Sequence, residues 1–377
     1  IMQTLKGVRH LMTSATMKQA VTEFNMPVPW GEIRGKVWGP DHGRPILCLH
    51  GWADNCGTFN TLIPLLPKEW KCVAVDMAGH GLSSHRPPGV FYSFPAYVAD
   101  IRRVIGALQW KRFSIIGHSM GGNVAGMFSA LYPEMVESVV LLDSYGFLPT
   151  DAKELHTVIR QGFEGMLEFE KKKDEKKEKV YTYENALMRL LAANPTLSEQ
   201  SAHILLERGL AQVEGGVVFT RDFRINLKNV VRDTLPSLHY FTIITGLLHK
   251  EGFEKMFSEP QQKTFTSTLL LGYKDQSGMV VNVPGDHHVH LNTPETVAQL
   301  VTDFLQKEAP SHTYLSYHMD LELSNNHSTN WTKAYSWYSL TINRSSFLLF
   351  SLILVIVSDK SNCLGRQEKK NMTCCAL

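Results

Sequence analysis

The sequence has no CxxC pair, no Cys/His spacing of a zinc module and no long run of one charge. Its six cysteines do not make a disulfide framework. Cys48 and Cys72 lie inside apolar, strand-like runs where cysteine acts as a small buried hydrophobe, Cys56 is in a loop, and Cys363, Cys374 and Cys375 fall near the end. That usage suits a reducing compartment and a cytoplasmic setting. Lys+Arg 38 against Asp+Glu 36 leave a net charge of +2, which gives no broad cationic footprint for nucleic acid. With 27 Gly and 17 Pro in 377 residues, collagen-like and low-complexity architectures are excluded.

Long apolar runs are also missing. The strongest, Phe347 to Val357 (FLLFSLILVIV), covers about half of the ~20 residues a membrane-spanning helix needs, so no stable transmembrane segment is expected. Residues 1–25 carry no continuous apolar region of the signal-peptide kind and read as a flexible N-terminus. The final Cys374-Cys375-Ala376-Leu377 fits the C-a-a-X prenylation pattern, a four-residue match that arises easily by chance.

What is present is an alternation of short β-branched runs and amphipathic stretches from about residue 28 to 306. This predicts an α/β fold with a mostly parallel sheet flanked by helices. Strands are predicted at Glu32–Trp38, Pro45–Leu49, Lys71–Asp76, Phe113–Gly117, Val136–Asp143, Thr242–Leu248 and Met279–Pro284. Helices are predicted at Tyr97–Leu108, Met120–Tyr132 and Glu295–Gln306. Residues 147–236 are Leu/Glu/Lys-rich and read as a helical cap inserted between the core segments 26–146 and 237–306. Within it, Glu170 to Lys179 mixes both signs, the mark of a solvated helix face. Residues 307–377 lack any matching rhythm and read as an atypical tail outside the core.

The chemistry concentrates in three segments. Phe113-Ser-Ile-Ile-Gly117-His118-Ser119-Met120-Gly121-Gly122 is an apolar strand, a G-x-S-x-G turn and the start of a helix. Such a turn lifts the Ser119 hydroxyl above the carboxyl edge of the sheet, beside the positive end of the helix. A serine hydroxyl needs a base. The segment Met279 to His290 supplies it as a strand, a Pro-Gly turn and three histidines. His287 directly follows the turn and is the candidate base, while His288 and His290 share the other phase of an extended loop. A metal reading of the cluster is the rival, but no nearby carboxylate or cysteine completes such a site. Leu47-Cys-Leu49-His50-Gly51-Trp52 follows an early strand, and the amides of Trp52 and Met120 are candidates for an oxyanion hole. Asp76, in a Gly-rich turn, reads as structural.

The acid stays open among three residues. Asp275 follows the strand-like Leu269–Leu271, but Gln276-Ser277-Gly278 is too short a link for a parallel crossover. Glu251, beyond Thr242–Leu248, is preferred, and Asp143, at the end of Val136–Asp143, stands second.

LHGWADN at 49–55, DMAGHGLSS at 76–84, GHSMGG at 117–122 and VPGDHHVHLNTPE at 283–295 together resemble the α/β-hydrolase superfamily, and within it the vertebrate serine hydrolase-like proteins. The resemblance runs over about residues 26–306, and the register of His287, His290 and Pro294 supports His287 over His288. It implies a Ser-His-acid triad, an acyl-enzyme intermediate on a small-molecule ester-like substrate, and no metal or organic cofactor. It also implies a peroxisomal or perinuclear-vesicle alternative to the cytoplasm. Dehalogenases and epoxide hydrolases of this fold carry Asp at the nucleophile position, where this chain has Ser119. A non-catalytic binding protein on the same fold is the competing expectation, since fold alone does not fix function. The sequence departs from the pattern at Thr242–Gly252, which is irregular for a penultimate strand, and after about residue 310.

Overall fold

Apolar residues that run without alternation belong to strands covered on both faces, and the centre of this sheet is built of such strands. A computed structural model describes residues 20–146, 153–173, 179–230, 279–306 and 352–359. The first strands are β1 (Val21–Val28), β2 (Gly31–Trp38), β3 (Arg44–Leu49) and β4 (Trp70–Val75). They are followed by β5 (Phe113–His118) and β6 (Val136–Leu142). After a short β7–β8 hairpin (Leu210–Val213, Gly216–Phe219) come β9 (Met279–Pro284) and β10 (Leu352–Asp359). Among the described residues the main sheet has eight strands in the order β1-β2-β4-β3-β5-β6-β10-β9. β1 and β2 pair antiparallel, as do β2 and β4; every other pairing in this sheet is parallel.

Side-chain alternation divides the core into two layers. Leu47, Leu49, Ile115, Val139 and Leu141 face α1 (Phe94–Ala107) and α2 (Met120–Leu131), packing with Ile101, Val104, Val124 and Phe128. Ile46, Cys48, Ile116, Val140 and Leu142 face the other way, toward Phe59, Leu62 and the Val301, Phe304 and Leu305 side of the helix Glu295–Gln306. Helices cover both faces of a mostly parallel sheet, as the sequence predicts. Ser93 caps α1 and accepts from the Ala96 amide, with a proline in the first turn.

Two expectations are corrected here. Residues 21–25, read as part of a flexible N-terminus, belong to β1 and pair with β2 through Val21↔Trp38 and Phe24↔Gly35. Residues 352–359, read as part of a tail outside the core, form β10 between β6 and β9, with Leu354 opposite both Val140 and Met279. Leu354, Val355 and Ile356 are fully buried. The apolar run is short for a membrane but matches an ordinary central strand of ~5–6 residues. Pairing along both edges satisfies its backbone groups. The predicted strand Thr242–Leu248, with Glu251 and Asp275, lies outside the described residues.

The insertion after β6 contains α3 (Leu155–Lys173), α4 (Tyr183–Ala193) and α5 (Glu199–Gly209), then the β7–β8 hairpin, which the purely helical expectation omitted. Buried polar contacts fasten it to loops at the carboxyl ends of the parallel strands. Arg208 of α5 reaches Asp76 at 2.8 Å, and the Asn55 side-chain amide donates to the Leu205 carbonyl at 2.8 Å. The Tyr92 hydroxyl donates to Asp222 at 2.8 Å. Among the described residues, no helix is long and apolar enough to cross a membrane.

Candidate active site

β5 passes into α2 through Ser119, whose backbone sits at φ 50°, ψ −118°, a left-handed conformation strained for any residue with a Cβ. Such a bend survives only where neighbouring backbone can approach closely. A Cβ on Gly117 would lie 2.6 Å from the Gly121 carbonyl oxygen, and one on Gly121 would lie 2.1 Å from that of Leu49. The two glycines therefore press the strand, the turn and α2 together and leave Ser119 at the sheet's edge. The Ser119 amide donates to the Leu142 carbonyl at 3.1 Å, fixing the bend against β6.

Because β3, β5, β6 and β9 are parallel, the residues that follow them share one edge. Trp52 follows β3, Ser119 follows β5, Asp143 follows β6, and His287 lies in the turn after β9. His287 Nδ1 is 2.5 Å from Asp143 Oδ2. An ionised carboxylate accepts, so Nδ1 carries the proton and Nε2 is the basic nitrogen. Asp143 itself has φ 45°, and its amide donates to the Ile356 carbonyl of β10 at 2.7 Å. Both members of the pair keep some solvent contact, at 28 % and 16 % side-chain exposure.

Met120 opens α2, and its N–H is one of the first-turn donors that a helix leaves without an intrahelical partner. The Trp52 indole N–H donates to the Ile225 carbonyl of the insertion at 3.0 Å, tying the loop after β3 to that segment. Asp76 is structural, as read from sequence. Its carboxylate accepts from the amides of Cys56 (2.7 Å) and Leu82 (2.9 Å) and from Arg208.

Behind the edge lies a group that the sequence did not reveal. The His118 ring is buried, with its centroid 4.7 Å from that of His287, 5.1 Å from His288 and 4.2 Å from His290. His118 Nε2 donates to the His287 carbonyl at 2.8 Å and so holds the backbone of the candidate base. Asp54, from the loop after β3, places Oδ2 3.3 Å from His288 Nε2 and 3.5 Å from His118 Nδ1. His290 meets the Thr58 hydroxyl at 2.9 Å. Burial pushes the His118 imidazole down to about 4. Burial also pushes His290 well down, with His118 and His288 adding to the effect. Burial would raise Asp54, but the neighbouring His288 and His118 hold its carboxyl well below the usual range. Burial likewise opposes charge on His288, yet Asp54 prevails and its pKa rises. The expectation that no carboxylate joins the histidine cluster is thus overturned by Asp54. Asp54 sits in the LHGWADN segment, but more than 230 positions separate it from His288, so no local spacing could signal the contact.

The comparisons with known proteins follow the same outline. Residues 44–179 match the model of the alpha/beta hydrolase fold. A zebrafish (Danio rerio) serine hydrolase-like protein is 59 % identical over 312 residues, covering 81 % of this chain and 95 % of the relative. The chain belongs to the serine hydrolase-like proteins of the α/β-hydrolase family. The human serine hydrolase-like protein 2 is 38 % identical over 300 residues, covering 76 % of this chain and 94 % of that one. Among solved structures, a hypothetical protein from Pseudomonas aeruginosa aligns with a TM-score of 0.63 at 29 % identity, over 75 % of this chain and 99 % of its own. A thioesterase domain from a curacin biosynthetic pathway shares the fold at TM-score 0.58 and 23 % identity, over 75 % of this chain and 99 % of the domain. Membership in this hydrolase family supports hydrolase chemistry in general terms.

Proposed function

We propose that this serine hydrolase-like protein cleaves small acyl esters through Ser119, His287 and Asp143. The 2.5 Å contact between His287 Nδ1 and Asp143, beside the strained Ser119 bend, carries this reading. His287 Nε2 removes the Ser119 proton as Oγ attacks the acyl carbonyl. The Met120 and Trp52 amides donate to the tetrahedral oxyanion, each worth about 3 kcal/mol. Collapse expels the alcohol, which takes its proton from His287. Water, activated by the same ring, then releases the acid from the acyl-enzyme. Asp143 holds the Nδ1–H tautomer and offsets the charge of the transient imidazolium. It takes the role for which the sequence preferred Glu251, because it lies at hydrogen-bond distance from His287.

The insertion carrying α3, α4, α5 and the β7–β8 hairpin acts as the cap. Its contacts with Trp52, Asp76 and Tyr92 set it over the strand ends, where it shapes the acyl pocket. The test is labelling by a fluorophosphonate probe together with hydrolysis of short p-nitrophenyl esters. The parent chain reacts with both, and Ser119→Ala reacts with neither. Hydrolysis by Ser119→Ala at the parental rate overturns the proposal, as does a folded parent chain that the probe fails to label.

A further inference from the structure

We infer that Asp54, His118 and His288 form a binding site for a borderline divalent cation of the Zn²⁺ class. Two loops and the last residue of β5, far apart in sequence, deliver these buried side chains, and one ligand atom from each lies within 4.8 Å of the other two. Around a tetrahedral Zn²⁺ with ligand bonds of about 2.0–2.1 Å, neighbouring ligand atoms stand about 3.3–3.4 Å apart. Asp54 Oδ2 is 3.3 Å from His288 Nε2 and 3.5 Å from His118 Nδ1.

Hydrogen-bond directions point the same way. His118 Nε2 faces the His287 carbonyl at 2.8 Å, and a carbonyl can only accept, so Nε2 carries the hydrogen. The other ring nitrogen, the buried Nδ1, has no hydrogen-bond partner and lies 3.5 Å from Asp54 Oδ2. A cation between them would take both atoms as ligands. The Nε2–H bond to a backbone carbonyl is also the arrangement by which metal-ligating histidines are oriented.

Gly51 keeps one side of the pair open. A Cβ there would lie 2.8 Å from His118 Nδ1 and 3.0 Å from Asp54 Oδ2. Two imidazoles and one carboxylate suit Zn²⁺ or Co²⁺, whereas Ca²⁺ and Mg²⁺ favour oxygen-rich sets. A bound cation would tie together the loop after β3, the end of β5 and the turn that carries His287. The site does not depend on the esterase reading, because it is tested by binding alone.

The experiment titrates untagged, chelator-treated full-length chain with Co²⁺ and then with Zn²⁺. The expected result is visible absorption of four-coordinate Co²⁺ saturating at one equivalent, displaced by one equivalent of Zn²⁺. Asp54→Asn and His288→Gln each weaken Co²⁺ affinity at least tenfold, while the half-exposed His203→Gln changes nothing. Absence of the Co²⁺ bands in the parent chain overturns the inference, and that arm needs no variant to fold. Bands that persist unchanged in folded Asp54→Asn and His288→Gln place the ion elsewhere and overturn it equally.

Discussion

Two sets of polar side chains share one edge of the sheet and differ in how they are enclosed. His287 and Asp143 keep 28 % and 16 % of their side chains exposed and form a single close pair. His118, His288 and Asp54 retain 1 %, 6 % and 9 % and contact one another and the surrounding backbone. Histidines at 287 and 288 are neighbours in the chain, yet one faces the rim and the other the interior. Residue type is common to both sets. Access and partner distinguish a ring that can exchange protons with a substrate from one whose charge is fixed by its surroundings.

Removing the open ring gives the largest effect. On the proposed mechanism His287→Ala is expected to lower kcat by about 10⁵–10⁶, the loss seen where one member of a catalytic triad disables the unit, while leaving the melting temperature near that of the parent. Steady-state ester hydrolysis beside thermal unfolding checks it, and a large loss of stability with activity intact would break the contrast. Asp143→Asn keeps the shape but presents the wrong hydrogen-bond partner to Nδ1. Its expected cost is about 10⁴ in kcat with little change in KM. A parental rate for this variant would return the acid's role to Glu251.

The enclosed side of the comparison is tested through stability. Arg208→Leu leaves Asp76 with its amide donors but without its buried cation. Loss of one partner from a buried ion pair costs about 3–5 kcal/mol, read as a lower urea midpoint. A shift below 1 kcal/mol would mean that the insertion is not fastened there. The smallest effect concerns His80, whose buried ring is held at about 3 by desolvation and then by the nearby His50. Its ordinary pKa is about 6.5, so below that value the unfolded chain binds a proton that the folded chain does not. Folding stability contributed by the neutral ring is fully present above pH 6.5 and falls as pH drops, by up to about 1.4 kcal/mol per unit. His80→Leu should therefore show a flatter loss of stability between pH 6.5 and 5 in urea melts, and an unchanged slope would contradict the assignment.

Much of the reactive edge is written in adjacent residues. A strand, a G-x-S-x-G turn and a helix within ten positions fix the Ser119 bend, because steric contact between neighbouring glycines and strands decides it. The helix at Glu295–Gln306 and the strand at Met279–Pro284 coincide with their predicted bounds for the same reason: periodicity and the Pro-Gly turn are local signals. Which carboxylate meets His287 was not legible, since that depends on which strand end lies beside its turn. β10 escaped notice because its place depends on parallel pairing with strands more than seventy residues away. An apolar run bordered by polar sequence says only that it seeks cover.

By itself, the chain determined a mostly parallel sheet covered on both faces, the serine at its tightest bend and a histidine in the turn after β9, all consequences of backbone sterics and hydrophobic periodicity. Only the folded arrangement decided that Asp143 meets that histidine, that residues 352–359 pair between β6 and β9, and that Asp54 joins two buried imidazoles. Contacts of this second kind depend on distance in space, and chain closure can bring together groups that no stretch of sequence lists side by side.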